Sequence, residues 1–236
     1  LRSDGAAVAR GGNCCGQCDL PPGLPDGLGY THVAAGELHS VLLRSDGTSV
    51  ARGRNDEGQC ALPALADGLS YTQVAAGLYH TALLRSDGRA ASCGWNADGR
   101  CDIPALDGGL GRAHTVLLRS DGTAAACGTY TQVAAGGRRT VLLRSDGTAV
   151  ACGWNDVGQC RLPELDGGLR YTQVAAGGEH TALLRSDGAA VACGWNGSGQ
   201  CDVPALGGGL AYMQVAAGGE HTVLLRSDGG AEACGR

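Results

Sequence analysis

Tyr171-Thr172-Gln173-Val174-Ala175-Ala176-Gly177-Gly178-Glu179-His180-Thr181-Ala182-Leu183-Leu184-Arg185-Ser186-Asp187-Gly188-Ala189-Ala190-Val191-Ala192-Cys193 reads as three short β-strands separated by turns. From Tyr171 to Ala176, β-branched Thr and Val stand among small residues, and Gly177 stops the run. His180 to Arg185 is the most apolar part, as suits a strand covered on both faces. Ser186-Asp187-Gly188 signals a tight turn, because Gly reaches positive φ at no steric cost, and Ala189 to Cys193 returns as the third strand. Beyond the loop Gly194 to Gly199 a weaker fourth strand is predicted over Gln200 to Val203, closed by Pro204. Proline has no N–H to give a ladder and belongs at a sheet edge, and Pro63, Pro104 and Pro163 recur at the same place.

Outward from this stretch the pattern repeats. Leu-Arg-Ser-Asp-Gly begins at Leu1, Leu43, Leu84, Leu118, Leu143, Leu184 and Leu225, with spacings of 42, 41, 34, 25, 41 and 41. The period is 41 residues, with two shortened intervals. Between Asp102 and His114 the Tyr-Thr-Gln-Val-Ala-Ala segment is missing, and after Gly128 the Trp-Asn…Gly-Gln-Cys segment is missing. Four antiparallel strands per ~40 residues is the arithmetic of a propeller blade. The fold class is therefore all-β, a propeller of about six blades with one or two incomplete, forming a single domain over residues 1–236. The chain starts at Leu1 in the middle of a repeat, and a piece of a longer protein is expected.

Composition narrows the function. The chain has 42 Gly, three Trp, six Tyr and no Phe, so its core must be Leu, Val and Ala packed between thin sheets. Its 18 Lys plus Arg against 23 Asp plus Glu give a net charge of −5, which argues against nucleic acid as partner, since phosphate neutralisation supplies that affinity. No apolar run approaches the ~20 residues of a membrane-spanning helix, and no membrane partner is expected.

The unit Val-Ala-Ala-Gly-Gly-Glu-His-Thr…Leu-Leu-Arg-Ser-Asp-Gly…Cys-Gly-Trp-Asn…Gly-Gln-Cys resembles the regulator of chromosome condensation (RCC-type) repeat. Val215-Ala216-Ala217-Gly218 with His221-Thr222, and Gly153-Trp154-Asn155 with Gly158-Gln159, match in order and spacing. The resemblance implies a propeller, typically of seven blades, in members that act as guanine-nucleotide exchange factors, ubiquitin-ligase modules, photoreceptors or adaptors. Against that pattern this chain is a degenerate seven-blade propeller. It makes five four-stranded units if Met213 to Cys234 is closed by Gln17 to Leu20, plus a two-stranded remnant near His114 to Cys127. The exchange-factor wedge has no counterpart among its minimal loops. Gly-Gly-Glu stands where the photoreceptors carry Trp, and no ligase domain lies in these residues. The expectation is a non-catalytic protein–protein interaction scaffold without cofactor, intracellular in the cytoplasm or nucleus. The alternatives are an exchange factor for a Ran-like small GTPase, and the substrate-recognition propeller of a HECT-type (HERC-like) ubiquitin ligase. The partner is then an unidentified protein, with a small GTPase or a ubiquitination substrate as the rival forms.

Residue by residue, the chemistry-bearing groups follow the repeat. His39, His80, His114, His180 and His221 stand in one register, with Arg139 in the same slot of one unit. A catalytic site needs a unique constellation, whereas a residue stamped on every blade does one local job each time. These histidines are read as structural, holding a neighbouring strand, and no metal site is expected. Cys93/Cys101, Cys152/Cys160 and Cys193/Cys201 each span the Trp-Asn loop and could close three disulfides, yet Cys60 and Cys18 face Arg52 and Arg10, and Cys127 and Cys234 have no partner. Small buried thiols in a reducing compartment are the preferred reading. Cys15-Gly16-Gln17-Cys18, with Cys14 adjacent, is a lone CxxC, a weak signal for zinc or redox chemistry. Trp95, Trp154 and Trp195 sit in loops of one face, as lids over blade ends or as aromatic anchors for a partner.

Overall fold

The computed structural model describes residues 1–21, 24, 27–104, 116–118, 124–126 and 129–236, the two tripeptides as backbone strands only. Five antiparallel three-stranded sheets follow one another along the chain: β1 (Tyr30–Ala35), β2 (His39–Arg44) and β3 (Ser49–Gly53); β4 (Tyr71–Ala76), β5 (His80–Arg85) and β6 (Ala90–Gly94); after the separate pair β7 (Val116–Leu118) and β8 (Ala124–Ala126), β9 (Tyr130–Ala135), β10 (Arg139–Arg144) and β11 (Ala149–Gly153); β12 (Tyr171–Ala176), β13 (His180–Arg185) and β14 (Ala190–Gly194); and β15 (Tyr212–Ala217), β16 (His221–Arg226) and β17 (Ala231–Gly235). The first strands β1, β4, β9, β12 and β15 neighbour one another in that order, so the sheets stand as blades around an axis with the Val-Ala-Ala strand innermost.

Period-two alternation along the middle strand explains the core. In β13 Leu183 faces back to Val141, Leu143, Tyr171 and Val174, while Ala182 and Leu184 face forward to Tyr212, Val215 and Leu224. The same arrangement joins blades one and two through Val41, Leu43, Tyr71, Val74 and Leu83, and blades two and three through Ala82, Leu84, Tyr130, Val133 and Leu142. The middle strands β2, β5, β10 and β13 are thus buried on both faces. Full burial stabilises by about 1.5–3 kcal/mol per Leu or Val. The outermost faces lack this cover. Val223 and Leu225, in the Ala182 and Leu184 positions, are 39% exposed each, and Val33 is 48% exposed where its counterparts are buried.

A bulge at Thr172 shifts the β12–β13 register between Tyr171 and Gln173, and the Tyr171 hydroxyl donates to the Pro163 carbonyl at 2.6 Å. Tyr71, Tyr130 and Tyr212 reach Pro63, Pro104 and Pro204 in the same way. The turn glycine is fixed by both conformation and space. Gly188 has φ 79°, and a Cβ there would lie 2.4 Å from the Ala211 Cβ.

Two expectations are corrected. The predicted fourth strand at Gln200–Val203 is a turn followed by extended chain, with Asp202 N bonded to Gly199 O and Val203 N to Cys201 O. Its main-chain groups are taken by local turns and by side chains, which leaves no ladder to build. The segment also serves a different blade from the one assumed. The Gln200 carbonyl accepts the Thr222 hydroxyl and the Cys234 thiol of the following blade. Gln17, Gln59, Arg100 and Gln159 likewise accept from Ser40, Thr81, Thr140 and Thr181. Gln17 therefore flanks the first blade and does not close the last; the fifth blade already holds Gln200. Among the described residues the result is five three-stranded blades, each with an outer segment from the preceding unit. An incomplete N-terminal unit precedes them.

Candidate protein-binding face

The loops between first and second strands, and those leaving the third, emerge on one face. A single backbone bond ties each pair. Arg54 N donates to Leu38 O, Trp95 N to Tyr79 O, Trp154 N to Arg138 O, Trp195 N to Glu179 O and Arg236 N to Glu220 O, at 2.8 to 3.0 Å. The frame is constant and the side chains it presents differ at every blade.

Trp95, 40% exposed, has its ring centroid 6.3 Å from that of Tyr79, and the Arg54 guanidinium of the preceding blade lies 5.5 Å over Tyr79. Arg138 lies 5.5 Å over Trp154. Trp195 is half-buried and lies against Gly197, where an added Cβ would come within 2.5 Å of the indole. At the axis this face opens into a hollow of about 240 Å³ lined by Gly36, Gly77, Gly136, Gly177 and Gly218 with their neighbours. The opposite mouth, about 570 Å³, is lined by Gln73, Gln132, Gln173, Gln214 and Met213 among others. There Gln73, Gln132 and Gln173 accept from the backbone N–H of Val133, Val174 and Val215, cross-linking inner strands that share no ladder.

The register histidines lie between blades. Nε2 of His39, His80 and His180 sits 3.0, 3.1 and 2.8 Å from the hydroxyl of Thr81, Thr140 and Thr222 in the next blade. Burial pulls His39 and His180 down to about 4, and burial with the Arg100 charge pulls His80 to about 3. Arg139 fills the same slot, donating to Thr181 Oγ1 at 2.8 Å, to Gly178 O at 3.1 Å and to His180 O, and burial lowers it to about 10. His221 is exposed, with Nδ1 3.0 Å from Arg236 O, and His114 lies outside the described residues. Among the described residues no group of three or more His, Cys, Asp or Glu is placed to hold a metal ion, and no helix is long and apolar enough to cross a membrane.

The eleven described cysteines are free thiols, and Cys127 lies outside the described residues. Cys93, Cys152, Cys193 and Cys234 point at the carbonyls of Gln59, Arg100, Gln159 and Gln200, and Cys60, Cys160 and Cys201 at loop carbonyls six residues back. Desolvation raises Cys93 and Cys152 to about 12, and Cys193 and Cys201 to about 11. Sequence reasoning picked out the three Trp but missed Tyr79, Arg54, Arg138, Glu179 and Glu220. The signal was available: each stands at a loop position where the repeat changes residue from unit to unit.

Radially stacked blades joined by the same bonds define a β-propeller with one loop face of varied chemistry. The pattern of the regulator of chromosome condensation (RCC1) repeat matches residues 30–59, 71–100, 130–159 and 171–200, together 120 of 236 residues. The chain belongs to this repeat family. No curated protein matches it by sequence. Among solved structures it is similar to human WBSCR16 (21% identity, TM-score 0.67, 87% of this chain and 61% of that one). It is also similar to yeast RCC1 (Prp20) bound to Kap60 (20%, 0.69, 92% and 58%). A third match is the ectodomain of the receptor kinase CR4 of Physcomitrella patens (19%, 0.70, 100% and 59%). The chain spans about six-tenths of these structures, and the likeness is one of fold.

Proposed function

We propose that this propeller is a non-catalytic scaffold that docks a protein through the loop face carrying Tyr79 and Trp95. The observation that supports it is the constancy of the loop-tying bond against the variety of what it holds: Leu38/Arg54, Tyr79/Trp95, Arg138/Trp154, Glu179/Trp195 and Glu220/Arg236. A fixed frame with variable tips is how a rigid fold presents a recognition surface, and aromatic and Arg side chains are the usual energetic centres of such surfaces. Trp154 and Trp195 follow that centre on the third and fourth blades. The thiols donating to main-chain carbonyls fit a reducing intracellular setting, cytoplasmic or nuclear.

The test compares binding partners captured by the wild-type protein, by Tyr79→Ala/Trp95→Ala, and by Met213→Ser at the opposite mouth. A stoichiometric protein should be retained by the first and third and weakened roughly thirtyfold in the second, the loss expected when a central aromatic contact is removed. Equal retention by all three would remove this face from consideration. The fold likeness to Prp20, described with its binding properties to Gsp1p and histones, motivates a second measurement, release of labelled nucleotide from a Ran-type GTPase. Acceleration at micromolar protein would replace the scaffold reading with exchange activity. A role as the substrate-recognition part of a HECT-type ligase is a special case of the same docking face.

A further inference from the structure

Cys14 and Cys15 stand apart from the other thiols. Cys18 occupies the repeat's own cysteine slot and, like Cys60, Cys160 and Cys201, points its thiol at a carbonyl six residues back, Gly12 O at 3.5 Å. Where this unit has Cys14-Cys15, the others carry Asp56-Glu57, Ala97-Asp98, Asp156-Val157 and Gly197-Ser198. The pair is surplus to the fold.

The two sulfurs are 3.7 Å apart, and the Gln17 side-chain amide points at Cys14 Sγ at 4.0 Å. The loop that carries them is held from below. Asn13 accepts from Cys18 N at 2.8 Å and donates to Asp19 at 2.7 Å, and Gln17 accepts from Cys15 N at 3.0 Å. Cys14 is exposed and opens onto a groove of about 520 Å³ beside the first blade. We propose that Cys14 and Cys15 form a bidentate dithiol site for a thiophilic metal ion of the zinc–cadmium class, with solvent completing its coordination.

Geometry separates this from a disulfide. With metal–sulfur bonds of about 2.3 Å, sulfurs at the observed spacing subtend about 107° at the metal, close to tetrahedral. A disulfide would instead need its Cα atoms about 4.4–6.8 Å apart. Neighbouring residues hold them at about 3.8 Å across a trans peptide. Chelation enlarges the ring by one atom and avoids that strain. In the step two S–H bonds break, two sulfur–metal bonds form and two protons pass to solvent, with no change of oxidation state. Because both thiols must lose their protons to bind a metal ion, binding strengthens as pH rises. The other described thiols are poorer competitors, being part-buried and committed to carbonyls.

The test is titration of the reduced full chain with Cd²⁺ against a competing chelator, followed by the thiolate-to-cadmium absorption. Wild type should show one tight equivalent with two sulfurs. Cys14→Ser and Cys15→Ser should each weaken it at least about 100-fold, as expected when one arm of a chelate is removed. Cys18→Ser should leave it within a few-fold. Survival of the tight equivalent in the Cys14→Ser/Cys15→Ser double variant overturns the assignment, as does a loss in Cys18→Ser as large as in Cys14→Ser. Treatment with glutathione disulfide gives a second reading. Loss of two hydrogens mapped to Cys14–Cys15 overturns the preference for chelation, and unchanged mass there supports it.

Discussion

The junction between the second and third blades and that between the fourth and fifth make the same contacts from chain segments of very different length. At the fourth/fifth junction His180 meets Thr222 and Gln173 meets Val215, each across 42 residues. At the second/third junction His80 meets Thr140 and Gln73 meets Val133, each across 60. Tyr130 N still bonds Gly88 O, and its hydroxyl reaches Pro104 across 26 residues where Tyr212 reaches Pro204 across eight. Even the close approach at the turn persists, since a Cβ on Gly88 would lie 2.4 Å from the Thr129 Cβ, as on Gly188 from the Ala211 Cβ. Eighteen additional residues, including β7 and β8, leave the register of the blades intact. What specifies a blade's place is the face it offers, not its distance along the chain.

The largest effect should come from emptying either junction. Leu142→Ala and Leu224→Ala each remove a fully buried side chain from equivalent clusters and should each cost about 2–5 kcal/mol in urea unfolding. The comparison predicts costs alike within about 1 kcal/mol, and a much cheaper Leu142→Ala would show that the longer connection weakens packing.

An intermediate effect is expected from acid. A free imidazole titrates near 6.5, whereas His39 and His180 titrate at about 4 and His80 at about 3 in the folded chain. The unfolded state takes up these protons first, so stability is complete above pH ~6.5 and declines as pH falls toward the folded values. His80→Gln and His180→Gln should each flatten that decline, and by similar amounts. The third/fourth junction should not contribute, because Arg139, at about 10, stays charged throughout this window. An unfolding midpoint that is level from pH 7 to pH 4 would contradict the buried-neutral state of these histidines.

The smallest effect is predicted for shortening the connection itself. Deleting residues 109–126 leaves seven residues between Pro104 and Tyr130, as between Pro163 and Tyr171. Because loop entropy changes by only about 0.6 kcal/mol per doubling of length, stability should move by only about 1 kcal/mol. A loss of several kcal/mol would mean that the deleted residues support the blades.

Much of this was legible before any coordinates. Tyr171–Ala176, His180–Arg185 and the return through Cys193 are strands where the residues place them, because alternating cover and a turn glycine are local properties. The Gln200–Val203 segment was misread because its polar alternation resembles an edge strand, while its bonds go to Thr222 and Cys234 of another unit. Of the candidate face, the Trp series was visible and its partners were not, since Tyr79 meets Trp95 only through a backbone bond between separate strands.

The residues alone determined the first three strands of each unit, its period and its two-sided apolar strand, since each follows from side-chain alternation and glycine placement within a few neighbours. Tertiary structure alone decided which unit's outer loop flanks which blade, and that Arg100 meets Thr140 across 40 residues. Those choices depend on shape and hydrogen-bond complementarity between faces far apart in the chain, and a repeat that presents the same face every time gives no local clue to which copy it will meet.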